Sequence, residues 1–410
     1  MSAAPRHPAM ERFPVAGGEL TVGSVPVSLL AARAGQTPFY AYDRRLLKER
    51  VELLRSVLPR EISLHYAMKA NPMPAVVGCM AQWVDGLDVA SGAELRVALD
   101  AGMDPREISF AGPGKSEVEL AQAVASGILL NVESMREIHL LAGVVQRLGR
   151  NARVAVRVNP DFELKSSGMK MGGGPKQFGI DAELVPQALA EIGRLGLGFE
   201  GFHIFSGSQN LKAEAICEAQ TKALALATRL AEAAPSPVTT LNLGGGFGIP
   251  YFPGEKPLDL EPVGAHLQGI VEAAKAQLPQ AELVIELGRF LVGEAGVYVC
   301  RVLDRKVSRG EVFLVTDGGL HHHLAASGNF GQVIRKNYPV DVGNRAGSAQ
   351  RELASVVGPL CTPLDLLADR MDLPVAGPGD LVVVFQSGAY GYTASPQRFL
   401  SHPAPVEVLV

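Results

Sequence analysis

Between residues 62 and 287 the chain repeats one pattern eight times: a short apolar, β-branched run, then a longer stretch with helical periodicity. The runs are 62–68 (ISLHYAM), 86–90 (GLDVA), 107–111 (EISFA), 128–132 (ILLNV), 153–158 (RVAVRV), 199–205 (FEGFHIF), 238–243 (VTTLNL) and 282–287 (ELVIEL). Stretches such as SEVELAQAVASG and CEAQTKALALATRLAEAA lie between them, apolar at every third or fourth position and often ended by Gly or Pro. Eight strand–helix units of this length predict an α/β architecture, a closed (β/α)8 barrel. An open doubly wound sheet is the alternative reading of the same alternation. A helical segment over 43–59 (DRRLLKERVELLRSVLP) precedes the first run and is expected to pack as an extra outer helix.

Beyond residue 290 the character changes. GVYVCRVLDRKV, GEVFLVTDGG, DLVVVFQSGAYGYT and PVEVLV are strand-like runs separated by turns, which predicts a mostly antiparallel β domain. The early segment 19–27 (ELTVGSVPV) is expected to lend that domain one strand. The expected organisation is therefore an N-terminal segment (1–35), a barrel (36–290) and a C-terminal β domain (291–410).

Charge and cysteine usage narrow the function classes. A formal net charge of -4 offers no footprint for nucleic acid or another polyanion. The N-terminal MSAAPRHPAMERFPVAGGEL has no apolar signal core, and no uninterrupted apolar run approaches membrane-spanning length, so no membrane partner is expected. Cys79, Cys217, Cys300 and Cys361 lie far apart with no CxxC pair. Neither a disulfide framework nor a structural zinc site is expected, and a reducing, cytoplasmic home is.

Barrel active sites form at the C-terminal ends of the strands. Ionisable groups gather there: Lys69 after the first run, Asp88 on the second, Arg157 on the fifth, His203 on the sixth, and Glu286 with Arg289 at the eighth. The seventh runs into GGGFG (244–248), whose backbone N–H groups could cradle a phosphate. Each has a plainer reading. A strand-end lysine usually leads into solvent, a glycine run is usually a turn, and a lone histidine is often a core residue. A lysine, a phosphate cradle, a flat ring partner and a carboxylate together suit pyridoxal phosphate. Lys69 would form the Schiff base, Glu286 would pair with the pyridine nitrogen, and His203 would stack on the ring.

The motifs YAMKANP, GLDVASGAELRVALDAGMDPREISFAGPGKSEVEL, NVES, VRVNP, QFGI, LNLGGGFG, ELGRFLV, GPLCTPLD and QSGAYGY follow one another along nearly the whole chain. In their order and spacing the sequence resembles the alanine-racemase-fold, pyridoxal-phosphate-dependent decarboxylases, the group of the diaminopimelate and ornithine enzymes. The resemblance implies that Lys69 carries the cofactor, with Asp88 beside it and Arg157 among the cofactor-binding residues. It implies that His203 stacks on the ring, that Ser208 with Gly244, Gly245 and Gly246 holds the phosphate, and that Glu286 binds the pyridine nitrogen. Arg289 contacts phosphate or substrate carboxylate. Cys361 and Tyr390 would reach the site from the other subunit of a homodimer, the tyrosine as one of the cofactor-binding residues and the cysteine governing protonation after carbon dioxide leaves. Arg335, Tyr338 and Thr362 join Arg289 and Tyr390 as expected substrate contacts. From the residues alone, Cys361 reads instead as a buried structural thiol.

The departures from the pattern are informative. The residue after the cysteine, an acid that reads a distal ammonium in the diaminopimelate and ornithine enzymes, is Thr362 here. HIFSGSQ is longer than the usual HIGSQ-like form, and SGMKMGGGPKQFG and TDGGLHHH resemble a narrower branch. That branch acts on glutamate tethered to an acyl-carrier protein or is associated with exosortase systems. The expected reaction is α-decarboxylation of a carrier-linked or otherwise modified amino acid. Diaminopimelate decarboxylation, amino-acid racemisation and a non-catalytic homologue are the rivals. His321 and His323 would share a face if 321–323 were a strand, a conceivable metal pair, but no acid or cysteine lies at a ligand spacing, so no metal is expected.

Overall fold

The computed structural model describes residues 7, 10–163, 169–170, 172–332 and 334–410. Ser167, Gly168 and Met171 of the SGMKMGGGPKQFG motif lie outside them. Two compact units divide the chain: 50–249 with 257–291, and 1–49 with 250–256 and 292–410.

In the first unit, all eight expected runs form strands: Ile62–Ala67, Gly86–Val89, Ile108–Phe110, Leu129–Val132, Arg153–Asn159, Gly198–His203, Thr240–Gly245 and Glu282–Leu287. We refer to them as strands 1 to 8. They pair in parallel in chain order, and strand 8 returns to strand 1 with Glu286 opposite His65, so the barrel is closed. The strands are buried on both faces, as the continuous apolar runs require; all six residues of strand 1 are buried. Helices follow the strands, and three open on a serine whose hydroxyl accepts a backbone N–H from the residue three further on. These caps are Ser91 to Glu94, Ser116 to Glu119 and Ser134 to Glu137. At Ser116 the Glu119 carboxylate also returns to the cap backbone, closing a capping box. The caps sit immediately after strands 2, 3 and 4 and set the loops at the mouth.

The second unit is a mixed sheet. Val340–Val342, Leu381–Val384, Gly296–Ser308, Glu311–Thr316, Arg351–Val357 and Leu366–Pro374 lie side by side in that order. The pairings are antiparallel except Glu311–Thr316 with Arg351–Val357. Phe39–Tyr42 adds to Gly296–Ser308 antiparallel, and Val406–Leu409 adds to Phe39–Tyr42 in parallel.

Here the N-terminal expectation is corrected. Segment 19–27 does not enter this sheet. It is a hairpin, Glu19–Val22 and Val25–Pro26, in a separate three-stranded sheet with Val15–Ala16. Gly23 and Ser24 at φ 56° and 66° form its two-residue turn, the geometry that suits tight hairpins. The strand lent to the β unit is FYAY, 39–42, four residues buried to 2% exposure or less. It lies inside the span 36–290 expected to be barrel. Among the described residues, no helix is long and apolar enough to cross a membrane.

Candidate active site

YAMKANP ends strand 1 in a single 3-10 turn, Met68–Ala70, with Lys69 at its centre. The turn is tied down behind the lysine: Tyr66 Oη donates to Asn71 O (2.8 Å), and Met73 N donates to Asn71 Oδ1 (3.2 Å). The flanking Met68 and Ala70 are buried, while the Lys69 side chain is about half exposed, with Nζ 3.5 Å from Glu286 Oε1.

Register brings the other strand-end groups to the same level. Asp88 pairs with Ala67 and with Ser109; His203 pairs with Arg157 and Asn242; Gly245 pairs with Glu286. Glu286 is buried, with Oε2 3.2 Å from His203 Nε2. Burial opposes its charge, but the Lys69 ammonium, the adjacent His203 ring and the Arg157 guanidinium outweigh it and hold the carboxyl far below the usual range. Glu286 is therefore an anion at any physiological pH. The His203 approach is an ion-pair distance without hydrogen-bond alignment; both ring nitrogens are buried without a hydrogen-bond partner among the described residues.

The glycine loop is built for close approach. A Cβ on Gly246 would lie 2.1 Å from Gly207 O, and one on Gly244 would lie 2.9 Å from Ile204 O. Both glycines have positive φ, 75° and 69°. Gly246 O accepts from Asn210 N at 2.9 Å. Loop 244–246 thus runs against Gly207–Ser208, which pairs with Met169–Lys170. Arg289 opens the short helix Arg289–Val292 just after strand 8 and is half-buried.

These residues fit pyridoxal phosphate. An exposed lysine stands beside a buried permanent anion, an imidazole has no hydrogen-bond partner among the described residues, and a side-chain-free backbone cradle passes next to Ser208.

Around Asp88 and Arg157 lies a polar network of residues absent from the expectations. His65 Nδ1 is 3.4 Å from Asp88 Oδ1, which also accepts from Ser109 Oγ; Ser109 Oγ in turn accepts from Asn131 Nδ2 (3.2 Å). Burial works against a charge on His65, but Asp88 overcomes it and raises the imidazole's pKa. Glu133 accepts from Arg157 Nη1 (3.0 Å), Gly112 N (2.6 Å) and Gly179 N (3.0 Å). Phe178 packs on the Arg157 guanidinium at 5.0 Å.

Cys361, Thr362, Arg335, Tyr338 and Tyr390 belong to the β unit. Cys361 is exposed, against its reading as a buried structural thiol. Its loop is closed from within. Asp365, 3% exposed, accepts Leu320 N on Oδ1 (2.6 Å) and Leu360 N on Oδ2 (2.8 Å), while Thr362 Oγ1 accepts Leu364 N (3.3 Å). Arg335 donates to Ser327 O, Asn337 Oδ1 and Leu366 O at 3.1, 2.9 and 2.9 Å. Lys336 is exposed, with Nζ 5.3 Å from the Phe252 ring centre. Tyr338 is buried and stacks on Tyr251 at 4.7 Å. Tyr390 is half-buried with φ 54°. His321, His322 and His323 are not a strand but a buried turn, with His322 N and His323 N both donating to Gly319 O.

The family model for the pyridoxal-dependent decarboxylase, pyridoxal binding domain, matches residues 44–293. The chain belongs to that family. It is an enzyme, a decarboxylase that uses pyridoxal phosphate. It is 40% identical over 380 residues to the L-glutamyl-[BtrI acyl-carrier protein] decarboxylase of Niallia circulans, covering 91% of this chain and 89% of that protein. It is 33% identical to the diaminopimelate decarboxylase of Aquifex aeolicus over 396 residues, 96% and 91% of the two chains. Among solved structures, diaminopimelate decarboxylase from Helicobacter pylori complexed with L-lysine superposes with a TM-score of 0.81 at 27% identity. That match covers 93% of this chain and 94% of the other.

Proposed function

We propose that the decarboxylase removes the α-carboxylate of an amino acid whose far end is acylated, carried on an acyl-carrier protein, in the cytoplasm. The loop 358–365 carries this reading. Its only carboxylate, Asp365, is buried on two backbone N–H groups, and the Thr362 hydroxyl accepts a backbone N–H of the same loop. Neither is left to meet a distal ammonium. A desolvated ammonium without a partner costs several kcal/mol, and each ~1.4 kcal/mol is about tenfold in affinity. The 40% identity to a carrier-dependent glutamyl decarboxylase supports the same substrate class.

In this reading Lys69 anchors the cofactor covalently, and its half-exposed position leaves Nζ reachable. Ser208 and Gly244, Gly245 and Gly246 hold the phosphate. Arg289 pairs with phosphate or with the substrate carboxylate. His203 lies on the ring face, with Asp88 and Arg157 lining the same mouth. Pyridoxal phosphate, when bound, supplies an electron sink for the pair freed as the Cα–carboxylate bond breaks. Glu286, kept ionised, holds the proton at the cofactor's ring nitrogen. Cys361 delivers the proton that replaces carbon dioxide at Cα. Cys361 and Tyr390 act from the second chain of a homodimer, with Tyr338 shaping the substrate side.

The test compares kcat/KM for a carrier-tethered glutamyl substrate with that for free diaminopimelate. The tethered substrate should be preferred by tenfold or more. Turnover of free diaminopimelate at ~10⁴ M⁻¹s⁻¹ or above would overturn the carrier reading and return the enzyme to lysine biosynthesis.

A further inference from the structure

Tyr390 is held in a backbone conformation that tyrosine rarely adopts. Its φ is 54°, and Gln386, four residues earlier, also has φ 54°. Left-handed φ at a non-glycine residue is strained and persists only where neighbours over-determine it. The segment 386–391 therefore needs a clamp.

The tri-histidine turn supplies one on both sides of Tyr390. His323 is fully buried, and its Nδ1 accepts Ala326 N at 3.2 Å. Nδ1 is thus the unprotonated nitrogen, and Nε2 carries the hydrogen. Nε2 lies 2.9 Å from Ser387 Oγ, so it donates to that oxygen, whose own hydrogen goes to Val384 O at 2.8 Å. Every polar atom in this chain has one consistent direction. On the far side, Leu324 N donates to Ser395 Oγ (3.0 Å), which donates to Gly391 O (2.6 Å). Consecutive residues of one turn therefore hold the chain three residues before Tyr390 and one residue after it. Tyr40, Tyr298 and Tyr338 surround the imidazole at 5.8, 5.6 and 5.7 Å, and burial raises the Tyr40 and Tyr298 hydroxyls well above the usual tyrosine value. Burial keeps the ring neutral, its pKa lowered to about 3. A protonated ring would lose the acceptor that Ala326 N requires.

We propose that His323 is a positioning residue which, in its Nε2–H form, fixes through Ser387 the strained backbone presenting Tyr390. The inference rests on the reading that Tyr390 serves the site. It gives the histidine run a role without metal or exchangeable charge.

The holoenzyme tests it. With ¹⁵N-labelled histidine, the signal lost in His323→Gln should report a protonated Nε2 and a bare Nδ1 throughout pH 5–8. His323→Leu keeps the bulk but not the donor. It should raise hydrogen exchange across 386–391 and lower kcat/KM for the preferred substrate at least tenfold, with cofactor affinity by spectral titration unchanged. His323→Gln, which keeps a side-chain N–H donor, should recover part of that loss. Should His323→Leu fail to fold, Ser387→Ala probes the same link and should give the same exchange signature. An Nδ1–H tautomer, or unchanged exchange across 386–391 in the leucine and alanine variants, overturns the proposal. Full activity of Tyr390→Phe together with raised exchange in His323→Leu would sink the role of Tyr390 in the site while leaving the clamp standing.

Discussion

In the barrel, candidate groups stand on strands or one turn beyond them, and the hydrogen-bonded ladder decides their neighbours. Glu286 faces His65, Asp88 faces Ser109, and His203 faces Arg157. In the β unit none of the candidates is on a strand. Cys361 and Thr362 sit in the loop closed by Asp365, Tyr390 follows Leu381–Val384, and Tyr338 precedes Val340–Val342. Backbone places the first set; side chains bonded to loop backbone place the second. The barrel set should therefore tolerate second-layer changes, whereas the β set depends on single anchors such as Asp365 and His323.

The largest effect expected is from Lys69→Ala. Borohydride reduction of the holoenzyme followed by peptide mapping should place the cofactor on Lys69, and the alanine variant should take up no label there. Its turnover should fall to background, since the chemistry that needs the anchored cofactor accounts for much of a barrier reduction of ~8–23 kcal/mol. Label on another lysine would break the barrel half of the comparison.

Next in size is a mixing experiment that pits the two regions against each other. Lys69→Ala and Cys361→Ala chains, each inactive, should regain activity when their subunits exchange, up to about a quarter of wild type for random pairing of two chains. One hybrid site would then hold an intact barrel half and an intact β half. No recovery despite exchange verified by mass spectrometry would mean that each chain completes its own site.

The smallest effect is on acid stability, and its sign differs between the regions. Burial lowers His321, His322 and His323 to about 3, 4 and 3. Unfolded, each titrates near 6.5. Below that pH the unfolded chain binds protons that these folded histidines refuse, so their contribution to the β unit's stability falls as pH drops towards 4, while Asp317 and Asp365, raised by burial, work the other way nearer the carboxylate range. His65 has the opposite shift. Burial opposes its charge, but Asp88 raises its pKa above 6.5, so the stability it gives the barrel is fully present below 6.5 and is lost only as pH rises above that value. Half-buried His266, lowered by burial, is the barrel's own histidine that loses stability below 6.5. Glu286, depressed by its cations, withdraws its contribution only below its unfolded value of 4.5. Hydrogen exchange at pH 7 and pH 5 should therefore loosen 318–327 before strands 1 to 8. Barrel amides opening first would reverse the comparison.

What could be read from sequence follows the same division. Strands 1 to 8 were legible because each is a short, largely apolar run set off by turn and cap residues from helical stretches, and the strand-end ionisable groups came with them. His65, Ser109, Asn131 and Glu133 were not, because each finds its partner on a neighbouring strand or loop, and hydrophobic periodicity carries no cross-strand register. In the N-terminal segment, Gly23–Ser24 hid a hairpin inside what reads as one strand. FYAY was missed because nothing local says that its partners lie at 296–308 and 406–409. Cys361 was read from residue-type burial alone, which knows nothing of the turn that Asp365 closes around it.

That distant pairing has a consequence for synthesis. The barrel strands run consecutively from residue 62 to 287, so each can dock on its predecessor as it leaves the ribosome. Phe39–Tyr42 is made before all of them, yet its first neighbour begins at Gly296. At ~5–20 residues per second, this run of three aromatics and an alanine waits uncovered for on the order of tens of seconds. It is a short, uncharged, β-prone segment of the kind that sticks to other chains. The β unit therefore cannot close its central sheet until the last third of the chain has been made, however early the barrel is complete.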